Sequence, residues 1–135
     1  MIYVLDTNVL SAMRRPDRSE AVMRWAAGRR EEDMFLSVIT LGEVERGIMQ
    51  QEKLNPAFAA DLRQWLDQTM AVFSDRILPF DAAAARLWGK LSARLGHAGT
   101  DLLIAATAMA HGATVVTGDS GFAATGVRVE NPFTS

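Results

Sequence analysis

Ile2-Tyr3-Val4-Leu5-Asp6-Thr7-Asn8-Val9-Leu10 is the stretch that decides the fold of this chain. Ile2 to Leu5 is a short apolar run with β-branched and aromatic members, the composition of a strand buried on both faces. Asp6 ends it abruptly. Behind Asp6, Val9, Leu10 and Met13 recur at helical spacing, so a helix is predicted to begin at Thr7 or Asn8. Strand, acid, helix is the order of a parallel α/β unit. In open sheets of that kind ligands sit outside the carboxyl ends of the strands. Asp6 therefore stands either at a ligand-binding edge or only as the cap of the helix behind it.

Outward from this stretch the same order recurs. The first helix should stop before Pro16, and Asp17 with Glu20 has the spacing of a capping box for a second helix that carries Val22, Trp25 and Ala26. Residues 34–38 read as a second strand. Thr40 and Glu43 then form another apparent capping box, opening a helix to about Gln51. Glu43 is thus either bonded back to the Thr40 amide or pointed at the edge where Asp6 lies. After Asn55-Pro56, residues 57–72 carry Phe58, Leu62, Trp65, Leu66 and Thr69 on one helical face, a core stripe. Residues 77–78 make a short strand, and Asp81 is an N-cap for a helix over 82–95. That helix buries Leu87, Leu91 and Leu95 and carries Arg86, Lys90 and Arg94 every four residues beside them. Such a stripe is either a solvated face or a contact for RNA or a partner.

Asp101 opens a segment that is apolar on nearly every side, so a buried helix is expected over 102–110, with Gly112 as its C′ residue. Asp101 is either its N-cap or a ligand. Residues 113–117 are a β-branched strand, followed by the tight loop Gly118-Asp119-Ser120-Gly121. A last edge strand is expected over 127–129.

Composition bounds the rest. The 135 residues fit one domain spanning 1–135. Hydrophobic residues make up 49% and charged residues 22%, as in a globular core with a solvated surface. A net charge of −2 gives no general basic footprint, so nucleic-acid binding would need a local patch or a metal. The absence of cysteine removes disulfides, thiolate metal sites and cysteine nucleophiles. His97 and His111 do not form a zinc site on their own. No P-loop, Gly-x-Gly-x-x-Gly or Gly-x-Ser-x-Gly motif is present. No apolar run approaches the ~20 residues of a membrane span, and no signal peptide opens the chain. A cytoplasmic protein with no membrane association is expected.

Asp6, Glu43, Asp101 and Asp119 all fall on one expected edge. Four carboxylates meeting without a cation would raise one another's pKa values. A hard divalent ion relieves this, and carboxylate and water ligands select Mg²⁺ or Mn²⁺. Such an ion can polarise a phosphodiester and activate water.

On Leu5-Asp6-Thr7-Asn8-Val9-Leu10, on residues 37–43 with Gly47, on residues 101–108, on Val116-Thr117-Gly118-Asp119 and on the closing Gly126-Val127 and Pro132-Phe133, the chain resembles the PIN-domain ribonucleases of the VapC-like toxin group. The resemblance covers nearly the whole chain. It implies a three-layer α/β/α domain with a mainly parallel sheet of four to five strands, the first central. It further implies Mg²⁺- or Mn²⁺-dependent cleavage of RNA, a homodimer and inhibition by a small antitoxin. Carried over residue by residue, Asp6, Glu43, Asp101 and Asp119 are the metal-site and catalytic acids. Thr117 takes the supporting hydroxyl position, and Thr7 and Asn8 complete the first motif. Three features depart from the pattern. Gly118 stands where many relatives carry arginine, the loop 96–100 is short, and Ser120-Gly121 follows Asp119 where relatives often supply another acid.

Other readings remain open from sequence. An aspartyl-nucleophile phosphatase would want a second acid two residues after Asp6, where Asn8 stands. A phospho-acceptor receiver domain would want paired acids after the first strand and a lysine after the last central one. A catalytically inert PIN-fold binding module would lack one of the four acids.

Overall fold

Five short strands form the sheet: β1 (Tyr3–Leu5), β2 (Met34–Ser37), β3 (Ile77–Leu78), β4 (Thr114–Val116) and β5 (Val129–Glu130). In the computed structural model, which describes residues 1–134, they lie in the order β3-β2-β1-β4-β5 and every pairing is parallel. Tyr3 stands opposite Met34 on one side and Thr114 on the other, and Leu5 opposite Val116. The first strand is central, as expected. The order also separates the fold from a receiver domain, whose sheet runs 2-1-3-4-5.

Six helices cover the sheet: α1 (Thr7–Met13), α2 (Glu20–Ala27), α3 (Val38–Leu54), α4 (Pro56–Val72), α5 (Ala82–Leu95) and α6 (Thr100–Ala110). The strand period of two divides the core. Val4 and Val115 pack with Leu91, Ile104, Ala105 and Ala108 under α5 and α6. Leu5, Leu36 and Val116 pack with Val9, Leu10, Val22 and Trp25 under α1 and α2. A smaller cluster, Ile48, Ala59 and Leu66, joins α3 to α4. Each of these larger side chains contributes roughly 1.5–3 kcal/mol by burial. The layering is therefore α/β/α. Among the described residues no helix is long and apolar enough to cross a membrane.

Several local expectations are corrected. Asp17 and Glu20 form no capping box: residues Pro16–Arg18 make a 3-10 turn, and Ser19 precedes α2 without a side-chain cap. Proline presets a turn φ, so the chain bends there before the helix begins. The cap of α3 is Ser37, whose hydroxyl accepts from the Ile39 amide at 3.0 Å, so Thr40 lies inside the helix and Glu43 is no capping partner. Helix α3 runs past Gln51 to Leu54, where Asn55 takes over as the cap of α4, accepting from Phe58 N–H at 3.1 Å. The last strand is 129–130 rather than 127–129, and Val127 instead packs into the core.

Candidate active site

Asp6 follows β1 and caps α1. Its Oδ1 accepts the Thr7 amide at 2.8 Å, while its own amide bonds Val116 O at 2.9 Å, holding the turn to β4. The side chain is 7% exposed, so it meets few solvent dipoles. Thr117, the residue after β4, donates its hydroxyl to Asp6 Oδ2 at 2.6 Å. Thr117 Oγ1 in turn accepts the Asp119 amide at 2.9 Å and Asn8 Nδ2 at 3.4 Å. One buried hydroxyl thus fixes two acid-bearing turns against each other. Thr7 donates its own hydroxyl to Glu43 Oε1 at 2.7 Å, across 36 residues of sequence. Glu43 therefore faces the first motif and not the start of its own helix.

Asp101 is not the N-cap of α6. Gly99 precedes the helix, and Asp101 sits in its first turn, with Oδ1 accepting the Leu102 amide at 3.1 Å. A helix N-terminus favours a carboxylate there. Asp119 caps a 3-10 turn, Ser120–Thr125, that takes the place of the simple loop expected; its Oδ1 accepts the Gly121 amide at 2.8 Å. A Cβ on Gly121 would lie 3.1 Å from Asp101 Oδ2 and 3.2 Å from Asp119 Oδ1. The bare glycine lets these two carboxylates approach within about 6 Å of each other.

All four acids line one cavity of about 310 Å³, together with Thr7, Asn8, Ile104 and Phe122. No lysine, arginine or histidine lines it. Burial holds the Asp6 carboxyl above its usual range. Bonds from Thr117 and the Thr7 amide oppose this, while the charges of Asp119 and Asp101 add to it. The lysine a receiver domain needs is missing from the lining, and no second acid stands beside Asp6 on α1 for a phosphatase.

The acid positions were readable from sequence. Ile104 and Phe122, which wall the cavity, were not; the signal for Phe122 is its place three residues after Asp119, one 3-10 turn on. Gly118 has its own explanation: a Cβ there would lie 2.7 Å from the ring of Phe133. An aromatic ring fills the space that a side chain at that position would need.

A parallel sheet ordered β3-β2-β1-β4-β5, with an acid-lined cavity at the carboxyl ends of its central strands, defines a class of α/β/α domains. The PIN domain family model matches residues 3–127, and the chain belongs to that family. It is 36% identical to Toxin FitB of Neisseria gonorrhoeae over 139 residues, 98% of this chain and 99% of that protein. It is 46% identical to Ribonuclease VapC14 of Mycobacterium tuberculosis over 67 residues, which span 50% of this chain and 65% of that protein. The crystal structure of FitAcB from Neisseria gonorrhoeae superposes with a TM-score of 0.86 at 37% identity, covering 99% of this chain and 100% of that one. VapBC2 from Rickettsia felis, bound to a promoter DNA fragment, gives a TM-score of 0.76 at 25% identity, covering 97% of this chain and 98% of that one.

Proposed function

We propose that this protein is a divalent-metal-dependent endoribonuclease and the toxin of a toxin–antitoxin pair, with Asp6, Glu43, Asp101 and Asp119 as its catalytic acids. One observation carries this: carboxylates from four separate segments share a cavity whose lining holds no cation. Among the described residues no three such groups converge tightly enough to enclose an ion by themselves. The donor set nonetheless fits Mg²⁺ or Mn²⁺, because Mg²⁺ keeps several waters and is commonly held by one or two carboxylates. Asp6 and Asp101 are the acids suited to hold it, with Glu43 and Asp119 flanking. Bound there, the ion would polarise a scissile phosphodiester of RNA and lower the pKa of a water.

The chain's own residues do the rest. Thr117 and the Thr7 amide fix the Asp6 carboxylate in one orientation. Ile104 and Phe122 wall the cavity with apolar surface, which strengthens electrostatic interactions inside it. Glu43 is held through Oε1 by Thr7, and its Oε2 has no protein partner among the described residues. It is the acid placed to take the proton of an attacking water.

The relatives' names and the complexes in which they were solved support an antitoxin partner, and a homodimer in the cytoplasm is part of the same proposal. A groove lined by Ile48, Phe58, Leu62 and Trp65 shares Thr7 and Glu43 with the acid cavity. It suits an amphipathic antitoxin segment that ends at the acids. The test is hydrolysis of a labelled single-stranded RNA in Mg²⁺ by wild type, Asp6→Asn and Asp101→Asn, with circular dichroism on each. Both variants should keep the fold and lose at least about 10²-fold in rate. An Asp101→Asn protein as active as wild type places the chemistry elsewhere.

A further inference from the structure

The acid cavity has no basic residue to meet the charge of a nucleic-acid backbone, and residue 118 beside it is a glycine with the Phe133 ring against it. Cations must be sought at the rim. Helix α5 contains three, Arg86, Lys90 and Arg94, and not one acid between Ala82 and Leu95. All three are exposed. Four arginines elsewhere are paired, Arg29 with Glu130 at 2.7 Å, Arg63 with Glu45 at 3.6 Å, Arg76 with Asp75 at 3.3 Å, and Arg30 with Glu32, whereas the other cations without an ion pair lie outside α5, among them Arg14, Arg15 and Arg18 after α1. Among the described residues Arg86, Lys90 and Arg94 have no acidic partner. In a chain of net charge −2 this is a concentrated local positive field.

The stripe points to the pocket. Arg94 Nη2 reaches the carbonyls of Ala124 and Thr125, at 3.5 and 3.4 Å. These belong to the turn that supplies Phe122 to the cavity wall. Three residues on, His97 is exposed and its Nδ1 accepts the Gly99 amide at 3.2 Å. With Nδ1 accepting, the neutral ring carries its proton on Nε2, a free donor. A Cβ on Gly99 would lie 2.7 Å from Asp101 Oδ1 and 3.3 Å from His97 Nδ1, so ring and carboxylate face each other across bare backbone, no more than about 6 Å apart. Residues four apart on a helix are separated by about 6 Å along its axis, on the scale of consecutive phosphates in an extended strand.

We propose that the exposed face of α5 is the track along which a single RNA strand enters the pocket, with Arg86, Lys90, Arg94 and His97 each meeting a backbone phosphate. The proposal rests on the ribonuclease reading for its substrate, and adds which face of the molecule that substrate crosses. Phosphate contacts position a strand without reading its bases, so the track sets entry and affinity and leaves the cleavage site to the pocket.

The experiment is fluorescence anisotropy of a 12-nucleotide fluorescein-labelled RNA of mixed sequence, titrated in EDTA at several salt concentrations so that binding is read without hydrolysis. Compared are wild type, R86Q/K90Q/R94Q/H97Q, and a control carrying R24Q/R30Q/K53Q. Glutamine is a good helix former, so α5 is retained. Expected is affinity weakened at least tenfold in the α5 variant and within twofold of wild type in the control. The log–log salt slope should shrink by about 0.7 for each arginine or lysine contact removed. In Mg²⁺ the α5 variant should show a raised KM for RNA with kcat within twofold. Wild-type affinity and salt slope in the α5 variant overturn the track, as does equal weakening in the control or no binding by wild type in EDTA. A change in sedimentation of the α5 variant with RNA affinity intact also overturns it, making α5 an interface between copies. If wild type binds RNA through α5 yet cleaves none in Mg²⁺, the track stands and the ribonuclease reading fails.

Discussion

Asp6 is a carboxylate with little water around it and two like charges nearby, and this sets a conflict between stability and use. Its folded pKa is raised, first by burial and further by Asp119 and Asp101. A raised carboxyl binds its proton more tightly in the folded chain than in the unfolded one. Its contribution to stability is therefore present below the ordinary value of 3.8 and is lost as pH rises through the folded pKa. At neutral pH without metal, ionised Asp6 costs stability, and asparagine cannot ionise. Asp6→Asn should melt above wild type in EDTA at pH 7, with the gap closing toward pH 4, while RNA cleavage is lost. Scanning calorimetry at both pH values checks this; a variant that melts lower at pH 7 contradicts it. Glu43 shows what sequence leaves ambiguous at this scale. The Thr40-x-x-Glu43 spacing imitates a capping box, but the competing hydroxyl of Ser37 lies where β2 ceases to pair, opposite Leu78. Which hydroxyl caps depends on where a tertiary pairing ends, and no local pattern encodes that.

Helix ends repeat the lesson one level up. Asp81 stands before four alanines in the sequence, and in the structure its Oδ1 accepts the Ala84 amide at 3.0 Å, as N-cap context predicts. Its other oxygen lies 3.5 Å from His111 Nε2, at the far end of α6 from Asp101. Asp81→Ala should therefore cost about 1 kcal/mol in chemical denaturation and leave RNA turnover within twofold. A large fall in turnover at unchanged stability would put Asp81 in the site. The long helices were legible because their apolar periodicity is strong: α5 shows Leu87, Leu91 and Leu95 on one side, and α6 is buried nearly all round. The bounds of the two-residue edge strand β5 and the 3-10 turn after Asp119 were not. A strand that short exists only through its register with β4, Val115 opposite Val129, and the turn depends on Phe122 finding the core.

At the scale of the whole molecule, a parallel sheet sends the carboxyl ends of β1, β2 and β4 to one edge, and α6 brings a fourth acid to it by its N-terminus. This is why acids distant in sequence were recognisable together: each follows a strand or opens a helix, and the topology does the gathering. An antitoxin segment in the groove beside Thr7 and Glu43 would end at the same oxygens, where an arginine could bond Asp6 or Asp101 bidentately. Antitoxin and cation then compete. By linkage, raising Mg²⁺ should weaken antitoxin affinity by the factor by which antitoxin weakens Mg²⁺. Calorimetric titration at several Mg²⁺ concentrations, against controls matched for ionic strength, reads that factor. An affinity that follows ionic strength alone places the antitoxin outside the pocket.

Whether four gathered carboxylates make a cation-dependent ribonuclease is answered most directly by stripping the protein with EDTA and following cleavage of a single-stranded RNA as Mg²⁺ or Mn²⁺ is returned. Expected is no cleavage in EDTA, saturable recovery with either ion, no recovery in Asp101→Asn, and a wild-type melting temperature that rises over the same concentration range. Full cleavage in EDTA by wild type, or equal recovery in Asp101→Asn, would contradict the assignment of the pocket as the metal-dependent site.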